Sequence, residues 1–334
     1  MTLKVAVVGP GNVARNSYLP YLSQQKDVHL AYFSRTRSKA EACASNFGGQ
    51  VAHSIPELLG DDPDTVLVLT SEVDRYQVTT ELLDNKPKRL FFEKPLVAQS
   101  GQADVCEDDF FKARELLQRA NELGTETAMV FNYRFFDQTL RAQRLIAERG
   151  LGKLTQASLF VHFACWSHCI DLLHLFGGPA ELISALSGQV QYPGAVNVTG
   201  GLDVVGAFRL LNGATGTILG TSASKFTFSL YELHLGFENG LLHFSDLDGP
   251  LDVFDARERY QESHTLIGNH SRWDQYQASF QKSLGAYLDT LRRSAPPPIP
   301  GSAGLQELQF EAALRRSIAQ QRPVDVQQEF PLEV

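Results

Sequence analysis

Two hydrophobic rhythms divide the chain. Up to about Arg134, short apolar runs of β-branched residues alternate with stretches of helical spacing. The pattern predicts strands at Leu3–Val8, Val28–Phe33, Thr65–Thr70, Arg89–Phe92 and Thr127–Phe131. Helices are predicted between them at Asn12–Gln25, Ser38–Phe47, Tyr76–Asp84 and Asp109–Leu123. Near-continuous apolar strands separated by helices are the mark of a parallel sheet buried on both faces. Beyond a helix predicted at Asp137–Arg149, the strands lengthen and alternate residue by residue: Val204–Leu211, Thr215–Thr221, Tyr231–Phe237 and Leu241–Phe244. Asn212-Gly213 and Asn239-Gly240 join them in pairs, and Asn-Gly between alternating runs predicts hairpins whose turn residues take positive φ. Two closing helices, Trp273–Arg293 and Gly304–Gln320, flank the proline joint 296–300.

The fold class expected is therefore α/β: an N-terminal Rossmann domain over residues 1–130, and a C-terminal α/β domain over 131–334 holding a mixed or antiparallel sheet. A length of 334 residues accords with two cores. Lys and Arg number 30 against 38 Asp and Glu, a net charge of −8. That balance excludes a surface built to grip nucleic acid or an anionic membrane, and no apolar stretch reaches the ~18 residues of a membrane helix. Four cysteines make no disulfide framework, and Leu3–Val8 is too short for a signal-peptide core. A cytoplasmic protein acting on a small molecule is expected.

Gly9-Pro-Gly11-Asn12-Val13-Ala14 closes the first strand and opens the first helix, fitting G-x-G-x-x-G/A. Gly9 makes the turn, Gly11 admits a pyrophosphate, and Ala14 allows close helix–sheet packing, with Asn12 and Val13 beside the phosphates. At the end of the second strand, 25 residues after Gly9, a dinucleotide site for NAD carries an acid. Here the chain reads Ser34-Arg35-Thr36-Arg37. Two guanidinium groups suit a 2′-phosphate, so NADP(H) is the expected cofactor, with NAD(H) as the alternative.

Phe92-Glu93-Lys94-Pro95 follows a Rossmann strand, and Asn132-Tyr133-Arg134 follows the last one. With the glycine turn and the run from Gly301 to Arg322-Pro-Val, these segments make the chain resemble the family of glucose–fructose oxidoreductase, inositol dehydrogenase and MocA. The resemblance implies a second domain built on a large open sheet, and NAD(P)-dependent oxidation or reduction of sugars, polyols and related carbonyls. It implies that Lys94 lies in the active site, that Glu93 lies beside the nicotinamide ribose, and that Thr70 faces the cofactor. A strand-end ammonium at Lys94 would stabilise the oxygen whose charge changes during hydride transfer.

The segment His162-Phe-Ala-Cys-Trp-Ser-His168-Cys-Ile-Asp171-Leu-Leu-His174 aligns with that family's Asp-x-Gly-x-His-x-x-Asp. His168 is thus the expected acid/base, with Tyr133, Trp166 and Asp171 lining the substrate. The first half departs: Ala164 replaces the acid and Trp166 the glycine. Thr70-Ser71-Glu72-Val73-Asp74-Arg75 likewise departs from Thr-Pro-Asn-x-x-His. Cys165, His168 and Cys169 share one helical face, and His162 or Asp171 could add a ligand, yet the spacing matches no zinc pattern and no metal is expected. The wide second sheet predicts a homo-oligomer, a dimer or tetramer. The rival reading is a dinucleotide-bound regulator or partner-binding module without turnover.

Overall fold

The computed structural model describes residues 2–192, 201–268 and 270–333. It divides into two compact units, one of residues 1–104, 108–131 and 280–305, the other of 105–107, 132–279 and 306–334.

The first unit is a six-stranded sheet of β1 (Leu3–Val8), β2 (Val28–Phe33), β3 (Gln50–Val51), β4 (Thr65–Val68), β5 (Arg89–Phe92) and β6 (Glu126–Met129). All neighbours run parallel in the order β3-β2-β1-β4-β5-β6. β4 is buried throughout and β1 nearly so, which explains their unbroken apolar runs. The order reverses between β1 and β4, and open α/β sheets bind ligands at such a reversal, outside the carboxyl ends of the strands.

The helix expected over Asn12–Gln25 is present from Asn12 to Leu22, with a π-helical turn, Ala14–Tyr18, running into a short α1 (Leu19–Leu22). Pro20 explains the π-helical turn, because it cannot donate into the ladder and its ring crowds the preceding turn. Next come α2 (Arg37–Phe47), α3 (Ile55–Gly60) and α4 (Glu72–Asp84). α4 begins four residues before the expected start, and its first turn carries Glu72 and Asp74, acids that suit a helix N-terminus. α3 was not expected, although Ser54 caps it by accepting from the Glu57 N–H at 3.2 Å. α5 (Glu107–Glu122) leads to β6.

The second unit opens with a 3₁₀ turn, Asn132–Phe135, and α6 (Asp137–Glu148). Its sheet contains β7 (Leu154–His162), β8 (Ala180–Tyr192), β9 (Gly201–Leu210), β10 (Thr215–Thr221), β11 (Tyr231–Phe237), β12 (Gly240–Ser245), β13 (Leu251–Asp255), β14 (Glu262–His264) and β15 (Val324–Asp325). The order is β14-β13-β12-β11-β7-β10-β9-β8-β15, antiparallel except for the β7–β10 pair. The expected mixed sheet is thus present.

Both predicted hairpins form, the second one residue earlier than Asn-Gly predicts, and neither Asn-Gly pair has both residues at positive φ. Of the first pair only Gly213 does (φ 89°). In the second, Phe237 pairs with Gly240, so the loop is Glu238-Asn239 and the glycine already lies in β12. A Cβ on Gly240 would stand 2.5 Å from the Phe254 carbonyl, so close strand approach, and not the turn, requires glycine there.

Helices α7 (Trp166–Gly177) and α9 (Ser302–Gln320) pack on one face of this sheet. Leu314 fills the space beside Gly206, and Phe310 meets the Phe208 ring edge-on. The opposite face leaves Leu186, Val190, Leu202 and Val205 of β8 and β9 exposed. The remaining helices are α8 (Arg272–Arg293) and α10 (Val326–Glu329), and no described helix is long and apolar enough to cross a membrane.

Candidate functional site

In the first unit the candidate residues gather at the reversal of strand order. Gly9 ends β1 at φ 78°, and a Cβ there would lie 2.6–2.7 Å from Thr70 at the end of β4, so glycine is required twice over. Gly11 differs. The nearest protein atom to a Cβ there would be 3.9 Å away, and its φ is not positive. The fold's own packing leaves that space free, as a site for close approach of a ligand to backbone must.

A cleft of about 290 Å³ opens here, lined among others by Gly9, Gly11, Ser34, Arg35, Lys39 and Thr70. The Thr70 hydroxyl is buried with no hydrogen-bond partner among the described residues. Asn12 accepts from Arg15 at 2.5 Å, and Val13 is exposed. A larger cleft, about 710 Å³, lies at the opposite ends of β1 and β2, beside Lys4 and His29. It holds none of the candidate residues, and the carboxyl-end cleft has the chemistry.

The two arginines have different surroundings. Arg35 lines the smaller cleft and is ion-paired with Asp74 of α4. Arg37 does not line it, and turns to Glu41 and His53. Ser34 accepts from the Thr36 N–H at 3.2 Å. Lys39 and Asp74, both missed in the sequence, line the cleft with Arg35.

The Glu93-Lys94-Pro95 segment, with a cis Lys94–Pro95 bond, is held from below by a residue whose part the sequence hid. Arg75, 2% exposed, donates to the Glu93 carbonyl at 2.7 Å, to the Thr70 carbonyl at 2.8 Å and to the Pro95 carbonyl. Burial pulls its pKa below the usual guanidinium value, and the Glu93 carboxylate opposes that pull. The Glu93 carboxylate accepts from the Tyr18 hydroxyl at 2.6 Å and from the Lys94 N–H at 3.0 Å. Lys94 Nζ donates to Gln102 at 3.2 Å. Arg75 thereby ties the ends of β4 and β5 together, and its departure from the family pattern is a structural clamp.

In the second unit, His168 stands in the first turn of α7, 2% exposed, its ring stacked on Tyr133 at 4.0 Å and 7°. The Tyr133 hydroxyl contacts Cys165 Sγ at 3.2 Å, and burial raises the phenol pKa well above its usual value. Asp171, 1% exposed, receives a two-pronged bond from Arg134, at 2.8 and 2.5 Å. Burial lifts the Asp171 pKa to about 6 against the pull of that guanidinium. Stacking on Tyr133 fixes the ring plane of His168, and Arg134 fixes Asp171 one turn further along.

Trp166, expected to line the substrate, is buried against Gly220 of β10, where a Cβ would meet its ring at 2.6 Å. Such packing is that of a core residue. His162 caps the turn before α7 by accepting from the Ala164 N–H at 3.1 Å. Burial takes the His174 pKa down to about 3, which suits a neutral core imidazole. Cys169 is buried with its thiol pKa raised well above the usual value. The metal-compatible group among the described residues lies elsewhere, at Glu232, His234 and His243.

Comparison with known proteins shows what the first unit is similar to. Residues 3–124 match the GFO/IDH/MocA group, described as "Oxidoreductase family, NAD-binding Rossmann fold". Those residues are similar to that family's nucleotide-binding half. The GFO/IDH/MocA match covers the glycine turn, the cleft, Arg75 and Glu93-Lys94-Pro95. Over 160 residues the chain is 28% identical to D-glucoside 3-dehydrogenase of Escherichia coli, covering 46% of this chain and 41% of that enzyme. The matched stretch thus spans about two-fifths of the curated relative's length.

Likeness of fold extends further. An oxidoreductase from Agrobacterium radiobacter, solved with NAD+, L-tartaric acid and magnesium, matches 98% of this chain and 100% of its own at TM-score 0.81 and 16% identity. The super-repressor mutant of Gal80p from Saccharomyces cerevisiae matches 98% of each chain at TM-score 0.79 and 14% identity.

Proposed function

We propose that the protein is an NADP(H)-dependent oxidoreductase acting on a sugar-like or other small hydroxyl or carbonyl compound. The observation that carries the reading is the open space at Gly11, together with the unpartnered Thr70 hydroxyl in the same cleft. Both are features that a bound dinucleotide would complete. Bound NAD(P)(H) supplies hydride transfer at the nicotinamide. Gly9, Gly11, Asn12 and Val13 take the pyrophosphate, Ser34 and Arg35 the adenosine ribose with its 2′-phosphate, and Thr70 and Glu93 the nicotinamide end. Lys94 bears on the reacting oxygen as a fixed cation. His168 exchanges the hydroxyl proton, its ring plane held by Tyr133. The name of the Escherichia coli relative supports a sugar-like substrate. A sugar and aldehyde panel, following NADPH oxidation at 340 nm, tests the activity; no turnover with any member would sink it.

Cofactor preference rests on Arg35. An exposed ion pair such as Arg35–Asp74 is worth only ~0–1 kcal/mol, so a 2′-phosphate can take the guanidinium from Asp74. NADPH should bind more tightly than NADH, and Arg35→Ala should remove about 1.5–3 kcal/mol of that preference. Arg37, turned to Glu41 and His53, should contribute less. Titration calorimetry on the two nucleotides decides, and equal affinities in the parent protein would overturn the assignment.

The second reading, a dinucleotide-bound regulator without turnover, is favoured by Ala164, which leaves no acid before His168. NADPH binding without reaction across the panel would support it.

The exposed apolar residues of β8 and β9 support a homo-oligomer in which a second copy covers that face. Light scattering at micromolar concentration should give a dimer or tetramer, and a monomer would contradict the proposal.

A further inference from the structure

On the open face of the second sheet, two histidines meet in register. His234 of β11 lies opposite His243 of β12, and strand alternation sends Leu233, Leu235, Leu242 and Phe244 into the core. The two imidazoles stack at 4.0 Å and 15°. Glu232 brings a carboxylate oxygen 3.9 Å from His243 Nε2. From β13, Asp252 pairs in register with His243 and sets a carboxylate oxygen 3.5 Å from its Nδ1. One ligand atom from each of Glu232, His234 and His243 lies within 4.8 Å of the others. His243 Nε2 is buried with no hydrogen-bond partner among the described residues.

A buried nitrogen without a partner costs free energy, and a bound ligand would relieve that cost. Two imidazole nitrogens and one carboxylate oxygen form the donor set of borderline divalent transition metals, whereas calcium and magnesium prefer oxygen alone. A tetrahedral ion with bonds of 2.0–2.1 Å holds its ligand atoms about 3.4 Å apart. Side-chain rotation alone can close the remaining gap, because His234 is exposed.

We propose that Glu232, His234 and His243 bind a divalent transition-metal ion of the zinc class on the open sheet face. Asp252 acts as the positioning residue: it accepts the His243 Nδ1–H and so turns the Nε2 lone pair toward the ion. The site ties β11 to β12 and leaves a fourth position to water. β7 and β10 lie between it and the exposed residues of β9, and it does not depend on the oxidoreductase reading.

Calorimetric titration with ZnCl₂ after chelator treatment tests the site on the full chain. One zinc per chain is expected. His243→Gln should weaken binding by about 100-fold or more, and Asp252→Asn by about 10–100-fold. His29→Gln, at an exposed histidine of β2, should leave affinity unchanged. Circular dichroism confirms that each variant is folded; if His243→Gln is not, Asp252→Asn still decides. With Co²⁺ the near-ultraviolet spectrum should lack a thiolate charge-transfer band. Absence of saturable binding, parental affinity in the His234→Ala/His243→Gln double variant, or a thiolate band would overturn the proposal.

Discussion

Replacing His168 with alanine should lower turnover on an identified substrate about 10²–10⁴-fold, the usual contribution of general acid–base catalysis, while NADPH affinity stays nearly unchanged. The separation of effects follows from where the groups lie. The glycine turn and Arg35 cleft belong to the first unit, whereas His168 stacks on Tyr133 in the second. On the proposed mechanism, in which its ammonium acts on the reacting oxygen and not on the pyrophosphate, Lys94→Ala should behave in the same way. Ala164→Asp restores the acid of the family pattern, though Trp166 packed on Gly220 limits its benefit. Steady-state kinetics and nucleotide titration on each variant check these outcomes. Full activity in His168→Ala would show that another group moves the proton.

The largest loss of stability is expected at Arg75. Arg75→Met keeps a long side chain but removes the donors to the Thr70, Glu93 and Pro95 carbonyls. It also leaves the Glu93 carboxylate without its cationic neighbour. Breaking a buried charged network of this kind costs about 3–5 kcal/mol. Urea denaturation should place the variant that far below the parent. NADPH binding should weaken as well, since Thr70 and Glu93 lose their common anchor. A variant within 0.5 kcal/mol of the parent, on the ~1 kcal/mol scale of one hydrogen bond, would refute the clamp.

Features carried by contiguous residues were the legible ones. Gly9 to Ala14, the alternation of strand and helix, and Glu93-Lys94-Pro95 each state their chemistry within a few positions. Ser54-Ile-Pro-Glu57 carries a capping signal as local as these. Pro20, which follows the π-helical turn of the first helix, is equally visible. Arg75 was different in kind. Its three acceptors lie 5, 18 and 20 residues away, and only the parallel pairing of β4 with β5 gathers them. Trp166 is drawn to the substrate by its place in the motif, and its packing against Gly220 of a distant strand is not legible in that motif. The His234–His243 pair is readable in principle by counting back from the β11–β12 turn. That count depends on placing the loop at Glu238-Asn239, and the Asn-Gly rule places it one residue too late.

The position of β7 bears on how the protein is made. Its neighbours are β11 and β10, both later in the chain, and Ser158 meets Thr217 at a sequence separation of 59. On a ribosome, β7 therefore emerges with both hydrogen-bonding edges unmatched and waits while α7, β8 and β9 are synthesised ahead of β10. A strand in that condition invites pairing with another nascent chain. Gln156 and Ser158 punctuate its apolar residues, and that polar alternation moderates the hazard during the wait. The β11–β12 hairpin closes locally and should gain amide protection before β7 in pulsed hydrogen exchange during refolding. Simultaneous protection of the two would mean that the sheet assembles as one unit.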